Sequence, residues 1–552
     1  MSTVSLDAAT KRMVLVACIL GTTVVTVDST AINVALPAIA EDLGGGLAGQ
    51  QWVSNAYLLT LSSFLLIGGS LGDVIGERRV FVTGVAGFGV TSVLCALAPT
   101  IEALVAARAL QGLSGALLTP AALAVIVRTF AESERAQAVG TWTAWGGIGT
   151  VLGPVVGGQL VDSASWRWIF LINLPLVLGT LFIVSRAVPA DAPRQPGTKL
   201  DLAGATLCAL GLAGITFGLI EQPMRGWADP AVAISLIGGV ALFAAFVLYE
   251  RRAAHPMLPL RLFGRRNFAA GNIETFAMYG GLSIVFFLLV LFLQGVAGYS
   301  ALAAGSASIP VTVVMFLLAA RFGRLADRHG PRLFMGIGPL IASAGLALML
   351  RLGADVDYWT ELFPALLVFA LGLSMTVAPL TATVLSDADA HNAGIASAVN
   401  NAIARVAGLV AIAAIGAIVA AQYDTRLLEA LGAAADRPAV RAAVADTRPF
   451  AVEVPRGLDP AAAAAVVRAQ EAASVDSFHF GIGIAVVLVG LGGVLGLAGI
   501  RNPRRKVAAE GCPGGQFVGV PEEASHQSPC DWNRELPNVV LPPREATSGR
   551  SA

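Results

Sequence analysis

The chain has 552 residues, of which 56% are apolar and only 13% are charged, about half the charged share of an ordinary soluble domain. Its 36 basic residues are balanced by 36 acidic ones, so the net charge is zero. This composition excludes a soluble enzyme, a nucleic-acid-binding protein and a disordered chain. It predicts an all-α polytopic membrane protein that has the lipid bilayer as its surroundings.

Apolar runs of about 20 residues, the length that crosses a bilayer as a helix, occur fourteen times. In chain order the predicted spans are 13–37, 52–72, 80–99, 102–127, 137–160, 168–188, 202–221, 230–249, 268–293, 302–322, 332–351, 361–385, 394–422 and 478–500. Segments on the side of both termini contain 22 Lys and Arg residues, whereas the opposite short loops contain three, Arg167, Arg225 and Arg351. Because basic residues concentrate on the cytoplasmic side, both termini are predicted to be cytoplasmic. We expect the membrane to be the plasma membrane of a bacterium.

Three segments are predicted to lie outside the bilayer: the cytoplasmic N-terminus 1–12, an outer loop 424–476 and a C-terminal tail 507–552. Within the outer loop, Asp459 is a favourable N-cap and Pro460 a favourable first residue, which predicts a short surface helix. The tail is rich in Pro, Gly and Ser without apolar periodicity, and we expect it to be a disordered cytoplasmic segment.

A polar loop sequence occurs twice. GGSLGDVIGERR follows the second span and FGRLADRHGPR the tenth, which places Asp73 and Asp327 254 residues apart. Two copies at corresponding loops predict duplicated six-helix halves, 13–188 and 268–500, with two extra helices at 202–249. Gly allows a tight turn, and Asp can cap a neighbouring helix or pair with Arg. Such a loop either holds one side of a transporter closed and releases it, or is a generic polar turn. Its candidate residues are Gly69, Asp73, Gly76, Arg78, Arg79, Gly323, Asp327, Arg328 and Gly330.

Several motifs resemble those of the major facilitator superfamily and, within it, the fourteen-helix drug:proton antiporters. DSTAINVALP in the first span, GSLGDVIGERR, LVAARALQGLSGA in the fourth span and GTVLGPVVGG in the fifth carry the resemblance, which covers residues 13 to about 500. Val74 and Glu77 stand where this loop motif often has basic residues. The resemblance implies a monomeric exporter that exchanges a small-molecule drug for protons.

Three of the charged residues within predicted spans are candidates for proton coupling. An ionised side chain inside lipid is costly unless it is paired or solvated, so Asp28, Arg108 and Glu274 should face the bundle interior. Asp28 pairing alternately with Arg108 would form a proton switch, a role that the resemblance implies for Asp28. The alternatives are a structural polar lock, an Arg108 bound only by carbonyl groups, and a Glu274 at the cytoplasmic interface. Arg405 is the proposed basic neighbour of Glu274.

Small residues recur in the fifth span at Gly149, Gly153, Pro154, Gly157 and Gly158. Such a face allows helices to approach closely and Pro kinks the helix. We expect this face to seal the outer path, although ordinary helix packing produces the same spacing. The resemblance favours export, since uptake carriers of the superfamily generally lack this pattern.

The substrate cavity has its own candidates, chosen because aromatic and amide groups suit bulky, amphipathic or cationic molecules. They are Asn33, Asn55, Tyr57, Trp142, Trp145, Asn400, Asn401 and, through its charge, Arg405. The two Trp residues are equally compatible with anchoring at the membrane interface.

Other functions are less compatible with the sequence. Cys and His are scattered without metal-ligand spacing, and neither a nucleophile–base pair nor a phosphate loop is present, so we expect no metal, no cofactor and no enzymatic activity. Duplicated halves with buried charges favour alternating access over a channel. Proton-coupled uptake of a small metabolite remains the alternative to export.

Overall fold

The computed structural model describes residues 7–189, 201–253, 256–386, 393–445, 447–455 and 457–502, and within these ranges the chain forms seventeen α-helices. The first half comprises α1 (Ala8–Leu43), α2 (Gly46–Ile75), α3 (Glu77–Ala96), α4 (Ile101–Thr129), α5 (Glu132–Ser163), α6 (Trp168–Leu171) and α7 (Asn173–Ala187). Two further helices follow, α8 (Leu202–Arg225) and α9 (Pro230–Glu250). The second half comprises α10 (Arg266–Gly295), α11 (Ala301–Ala307), α12 (Ile309–His329), α13 (Pro331–Leu348), α14 (Phe363–Ser386), α15 (Ala393–Leu431), α16 (Pro438–Val444) and α17 (Pro460–Gly499).

Thirteen helical segments of the described residues are long and apolar enough to cross a membrane. Thirteen of the fourteen predicted spans coincide with them, which confirms a multi-pass helical membrane protein. The remaining predicted span, 52–72, lies within α2, a helix of 30 residues that is not among the thirteen. The number fourteen therefore stays a prediction.

Successive long helices run in opposite directions, so the bundle has two ends. We call the end at which α1 begins and α17 ends the terminal end, and the opposite one the far end. Asp7 accepts a hydrogen bond from the Thr10 amide (3.2 Å) and so caps α1 at the terminal end. There Arg266, at the start of α10, donates to the carbonyl oxygen of Gly499 (2.7 Å) at the end of α17.

The far end differs from the predicted loop 424–476. Helix α15 continues to Leu431, and the helix that begins at Pro460 does not stop before the last span but runs unbroken to Gly499. Asp459 caps it as predicted, accepting from the amides of Ala461 (3.0 Å) and Ala462 (2.9 Å). The charged stretch that follows contains no Gly or Pro, and polar residues with good helix propensity do not end a helix. Apolar residues then pack the two extensions together: Tyr423, Leu427, Leu431, Val466, Ala469 and Ala473.

The two halves share one apolar core in the far part of the bundle and have separate apolar cores towards the terminal end. One cluster joins the two halves in the far part, where Ile32 and Leu36 of α1 belong to the same core as Phe292 of α10. Towards the terminal end the first half has its own core around Phe81 and Phe88. The second half has a separate one, formed by Leu262, Phe268, Met335, Leu380, Val384, Ala396, Val399 and Ile500.

The two extra helices pack against each other and beside the junction of α2 with α15. A Cβ atom built on Gly214 of α8 would lie 2.8 Å from the Cα of Gly239 in α9, so small residues set this close approach. Cys208, Leu212 and Phe246 share a small core with Leu409 of α15. On the other side of α9, large apolar side chains are exposed, as expected for a surface that faces lipid: Ile234, Ile237, Val240 and Leu248.

Candidate functional site

Asp28 and Arg108 form an ion pair in the interior of the first half. An Arg108 guanidinium nitrogen lies 2.6 Å from Asp28 Oδ2, and both side chains are only 1% exposed. Helix α1 supplies the carboxylate and α4 the guanidinium, which also donates from Nε to the carbonyl oxygen of Val53 (3.2 Å). The two residues predicted at matching depth are therefore brought together, and the carbonyl contact supplements the pair rather than replacing it.

Two amide side chains complete the surroundings of Asp28. Gln111 Nε2 and Asn173 Nδ2 each donate to Asp28 Oδ1 at 3.0 Å, and Gln111 Oε1 accepts from Arg108 (2.7 Å). Both amides also donate to the hydroxyl oxygen of Ser92, at 3.0 and 3.2 Å. We call these five residues the Asp28 network. Each oxygen of the carboxylate is satisfied, which is the condition for keeping a charge in a buried place.

Sequence reasoning missed three members of this network, although the signal for two of them was present. Gln111 stands three residues after Arg108, so both lie on one face of α4. Asn173 is the polar residue in the otherwise apolar run WIFLINLPLVL. Ser92 offered no comparable signal, because a single Ser in a membrane helix is common.

Tyr57 covers the other side of the ion pair. The Arg108 guanidinium carbon lies 4.3 Å from the centre of the Tyr57 ring, a cation–π contact. The Tyr57 side chain is 1% exposed, and its hydroxyl group has no hydrogen-bond partner among the described residues. The ring of this predicted cavity residue therefore belongs to the wall of the Asp28 network, and its hydroxyl group lies beside Gly115 of α4.

Glu274 in α10 is fully buried, and neither carboxyl oxygen has a hydrogen-bond partner within the described part of the chain. Burial by protein does not fix its depth in the membrane, so a position at the cytoplasmic interface stays a prediction. A Cβ atom built on Gly496 of α17 would lie 3.0 Å from Glu274 Oε2, so the carboxyl group faces α17.

The pairing of Glu274 with Arg405 is not found. Arg405 in α15 is half-buried. Glu274 faces α17 and has no hydrogen-bond partner in the described ranges, so the predicted pair is absent from this conformation. Asn400, one turn earlier, instead donates to Asn272 (3.1 Å) and Thr275 (2.8 Å) where α15 meets α10.

The small-residue face of α5 packs against protein. A Cβ atom built on Gly153 would lie 2.9 Å from the carbonyl oxygen of Val27, and one on Gly157 would lie 2.8 Å from the Cβ of Ala31. Gly149 approaches Thr26 in the same way, at 3.3 Å. This face therefore follows α1.

The same helix also contacts the second half. A Cβ atom on Gly158 would lie 2.6 Å from the carbonyl oxygen of Ala301, and one on Gly305 would meet the carbonyl oxygen of Pro154. Asp162 accepts from the amides of Ala301 (3.0 Å) and Leu302 (2.9 Å) at the start of α11. The role of Asp162 was not foreseen, since a carboxylate at a helix end is usually solvated.

Further hydrogen bonds join the halves in the same region. Gln294 donates to the carbonyl oxygen of Val34 at 3.0 Å. Gln51 donates to the carbonyl oxygens of Ile412 and Ala413, the latter at 3.3 Å. Helices α1, α2 and α5 of the first half thus contact α10, α11 and α15 of the second half, and the far end is closed between the halves.

Two contacts of described residues at the terminal end each join helices of the same half. Lys11 pairs with Glu134 (2.6 Å) in the first half, and Arg332 donates to the carbonyl oxygen of Leu497 (2.7 Å) in the second. In α5 there is open space around Gly146 and Gly147, where a built Cβ atom would meet nothing within 4 Å. The contacts between the halves that are described here thus lie at the far end.

The two copies of the polar loop form similar turns. Gly76 has φ 105° and ψ 136°, Gly330 has φ 91° and ψ 147°, and each amide donates to the carbonyl oxygen four residues earlier. These positive φ angles explain Gly at both positions. Glu77 lies 3.8 Å from Arg128 of α4, so this departure from the motif still contributes to an ion pair. The remaining candidates of the two loops differ in their surroundings. Gly69 lies within α2 and Gly323 within α12, and Asp327 is exposed. An interaction partner is present for each of Arg78, Arg79 and Arg328, whereas the Asp73 side chain lies outside the part that the structure describes.

The other cavity candidates are dispersed. Asn33 is half-buried, Asn55 is fully buried without a hydrogen bond from its amide, and Asn401 is exposed and donates to Ser397 of its own helix. Trp142 packs against the core of the first half, whereas Trp145 is 47% exposed. These five candidates do not form one cluster.

Comparison with known proteins identifies the family to which this architecture belongs. The family model of the Major Facilitator Superfamily matches residues 18–412. The puromycin resistance protein of Streptomyces alboniger is 36% identical over 405 residues, covering 71% of this chain and 79% of that protein. The tetracenomycin C resistance and export protein of Streptomyces glaucescens is 35% identical over 414 residues, covering 74% and 76%.

A solved structure has the same fold. The crystal structure of a bacterial homolog of the human lysosomal transporter Spinster, in an inward-facing and unoccupied conformation, aligns with a TM-score of 0.63. The alignment covers 90% of this chain and all of that one at 16% sequence identity. Helical architecture, family model and relatives agree: the chain is a membrane transporter that belongs to the major facilitator superfamily.

Proposed function

We propose that the protein exports amphipathic drugs or antibiotics from the cell in exchange for protons, by alternating access. Relatives named for antibiotic resistance and export support this direction of transport. With both termini in the cytoplasm, closure at the far end corresponds to an inward-facing state, ready to take substrate from inside. We expect the exporter to act as a monomer in the bacterial plasma membrane.

The observation that carries the proposal is the contrast between the two buried carboxyl groups. Asp28 is charged opposite Arg108 and receives two amide hydrogen bonds. Glu274 has neither a cation nor a donor, and a charge in such a place is costly. We therefore assign a proton to Glu274 in this conformation and none to Asp28.

The coupling cycle that we propose uses both carboxyl groups, and Glu274 releases its proton to the cytoplasm when substrate binds in the inward-facing state. When the protein turns outward, the Asp28 network opens, and a proton from outside neutralises Asp28. Rearrangement back to the inward-facing state restores the Arg108 pair, which displaces that proton towards the cytoplasm. Substrate leaves during the outward-facing half of the cycle. The close contacts of α5 with α1 and α11 seal the outer path while the terminal end is open.

Inverted membrane vesicles test the direction of transport. Vesicles energised by respiration have an acidic lumen that corresponds to the cell exterior, so an exporter accumulates a fluorescent drug inside them. We expect accumulation that a protonophore abolishes and that empty-vector vesicles lack. Loss of dye from preloaded vesicles instead would identify the uptake alternative.

A further inference from the structure

A cavity of about 920 Å³ lies at the far end of the bundle, next to the contacts that join the two halves. Its walls come from α2, α4 and α8 on one side and from α15 and the segment 445–449 on the other. Gln51 of α2 lines the cavity and also donates to the carbonyl oxygens of Ile412 and Ala413 of α15. The lining residues of α15 lie further towards the far end than these carbonyl groups: Gly416, Ala420 and Asp424. The cavity is therefore on the outer side of this closure, and its walls belong to both halves.

Direct contacts hold the walls of this cavity in place. The indole nitrogen of Trp52 in α2 donates to Glu221 of α8 (2.9 Å), and the centre of the Trp52 ring lies 6.1 Å from that of Phe217. These two contacts fix the orientation of the indole ring at the wall. On the opposite side, Arg448 lies across the start of α2, where its Cδ would be 3.0 Å from a Cβ atom built on Gly46. The segment 445–449 therefore rests on the first half and completes the cavity.

The charged residues of the lining are mostly acidic. Among the described residues of the walls there are three carboxylates, Glu102, Glu221 and Asp424. The one cation among them is Arg448. Glu221 is paired with Arg225 (3.0 Å). Glu102 and Asp424 are exposed, and neither forms an ion pair with a residue of the described ranges. A cleft lined by an excess of one sign of charge concentrates ligands of the opposite sign, and an indole ring is the aromatic group that attracts cations best.

We propose that this cavity, which we call the outer cavity, binds an aromatic organic cation from outside the cell, and that the bound cation slows export. Its volume of about 920 Å³ is in the range of pockets that hold drug-sized molecules. Because α2 and α15 belong to different halves, the site loses a wall when the far end opens. A ligand that binds one state better shifts the protein towards that state, so the cation holds the exporter inward-facing. The effect on export rests on the proposed function, whereas binding to the outer cavity does not.

Propidium is the probe for this site, because it is an aromatic dication that does not cross membranes and reaches an intact cell only from outside. Binding to purified protein is measured by fluorescence polarisation. Inhibition is measured as export of a preloaded dye of separate emission from intact cells, with propidium in the medium.

Two variants alter the outer cavity in different ways. Glu102→Gln/Asp424→Asn removes two exposed carboxylates, and Ala106→Trp fills the cavity from an exposed position of α4. The matched controls are Asp436→Asn, whose side chain is 85% exposed, and Ala241→Trp, at an exposed position of α9. Neither control residue lines the outer cavity.

We expect propidium to bind wild type and to slow its export over the same range of concentration. The double carboxylate variant should bind propidium about tenfold more weakly, since two exposed charge contacts are removed and each contributes up to about fivefold. Ala106→Trp should abolish binding, because the indole ring occupies the space of the ligand. Both controls should bind propidium like wild type. Export of each variant is compared with its own rate without propidium.

The outcomes separate this inference from the export function. If the double carboxylate variant or Ala106→Trp binds propidium as tightly as wild type, the outer cavity is not a cation site, and export stands. If propidium binds as expected but leaves export at its uninhibited rate, the inhibitory role is wrong. If wild-type cells export no dye at all, the export function fails, and binding to purified protein still decides whether the outer cavity is a cation site.

Discussion

Asp28 and Glu274 occupy corresponding helices of the two halves, and both are buried, yet their surroundings are opposite. Asp28 is bound by one guanidinium and two amides, whereas Glu274 touches no donor in the described residues. Burial alone therefore does not determine what a carboxyl group does in this fold. A charge requires the Asp28 network, and a carboxyl group without such a network is stable in its neutral form.

The largest effect is expected from Asp28→Asn, which should stop proton-driven export and destabilise the protein. Removing one partner of a buried ion pair leaves an uncompensated Arg108, a loss of about 3–5 kcal/mol. The measurements are dye efflux from cells at matched expression and thermal unfolding in detergent. The double variant Asp28→Asn/Arg108→Gln should regain much of the stability without regaining export. Wild-type efflux in Asp28→Asn would remove Asp28 from the mechanism.

Gly157→Leu should also block export, because its side chain would meet Ala31 of α1 at a distance already below van der Waals contact. Overpacking of this kind costs about 1–3 kcal/mol and forces helices apart. Gly147→Leu is the matched control in the same helix, since open space surrounds that position. Gly153→Leu should behave like Gly157→Leu, through contact with Val27 and Thr30. Equal vesicle transport by the Gly147 and Gly157 variants would contradict the sealing role of this face.

Glu274→Gln sharpens the comparison most. Because Gln has the shape of a protonated Glu, we expect no loss of thermal stability, in contrast to Asp28→Asn. Export should nevertheless lose its dependence on the proton gradient, since the substituted side chain cannot release a proton. A large drop in the unfolding temperature would instead show that Glu274 is charged and paired in the folded protein.

Asn173→Ala should have an intermediate effect. It removes one of two amide donors to Asp28 and leaves the ion pair in place. The loss of a hydrogen bond to a charged group corresponds to about 1.5–3 kcal/mol. Unfolding measurements and efflux should both place this variant between wild type and Asp28→Asn. Gln222→Ala, at a half-buried position of α8, serves as the control.

The smallest effect is expected from removing the C-terminal tail. Residues 507–552 lie outside the described part of the chain, so this prediction rests on their composition alone. The basic cluster 501–506 is retained, and by its charge we expect it to anchor the last helix at the cytoplasmic face. A chain that ends after Lys506 should insert and export like the full one. Lost resistance at normal membrane levels would reveal a function in the tail.

The sequence was sufficient to predict the membrane-spanning helices and part of the candidate site. Membrane spans depend on apolar length, which composition reveals directly, and the pair Asp28–Arg108 followed from matching depth in two helices. Asn173 and Glu274 show the limit. Which helices adjoin each other, and towards which neighbour a buried side chain turns, depends on packing among distant segments. The prediction of a short surface helix after Pro460 was wrong for a different reason. A hydropathy pattern indicates where the chain crosses the bilayer but not where a helix ends, and this helix continues to Gly499.

Drug-stimulated proton movement tests the central claim most directly. In inverted vesicles energised to an acid lumen, adding a transported dye should release protons from the lumen, measured as recovery of a quenched pH-sensitive fluorophore. We predict release by wild type and none by Asp28→Asn or Glu274→Gln, each compared at equal protein with the Gly147→Leu control. Dye accumulation by wild type without proton release, or undiminished release by both carboxyl variants, would contradict the account.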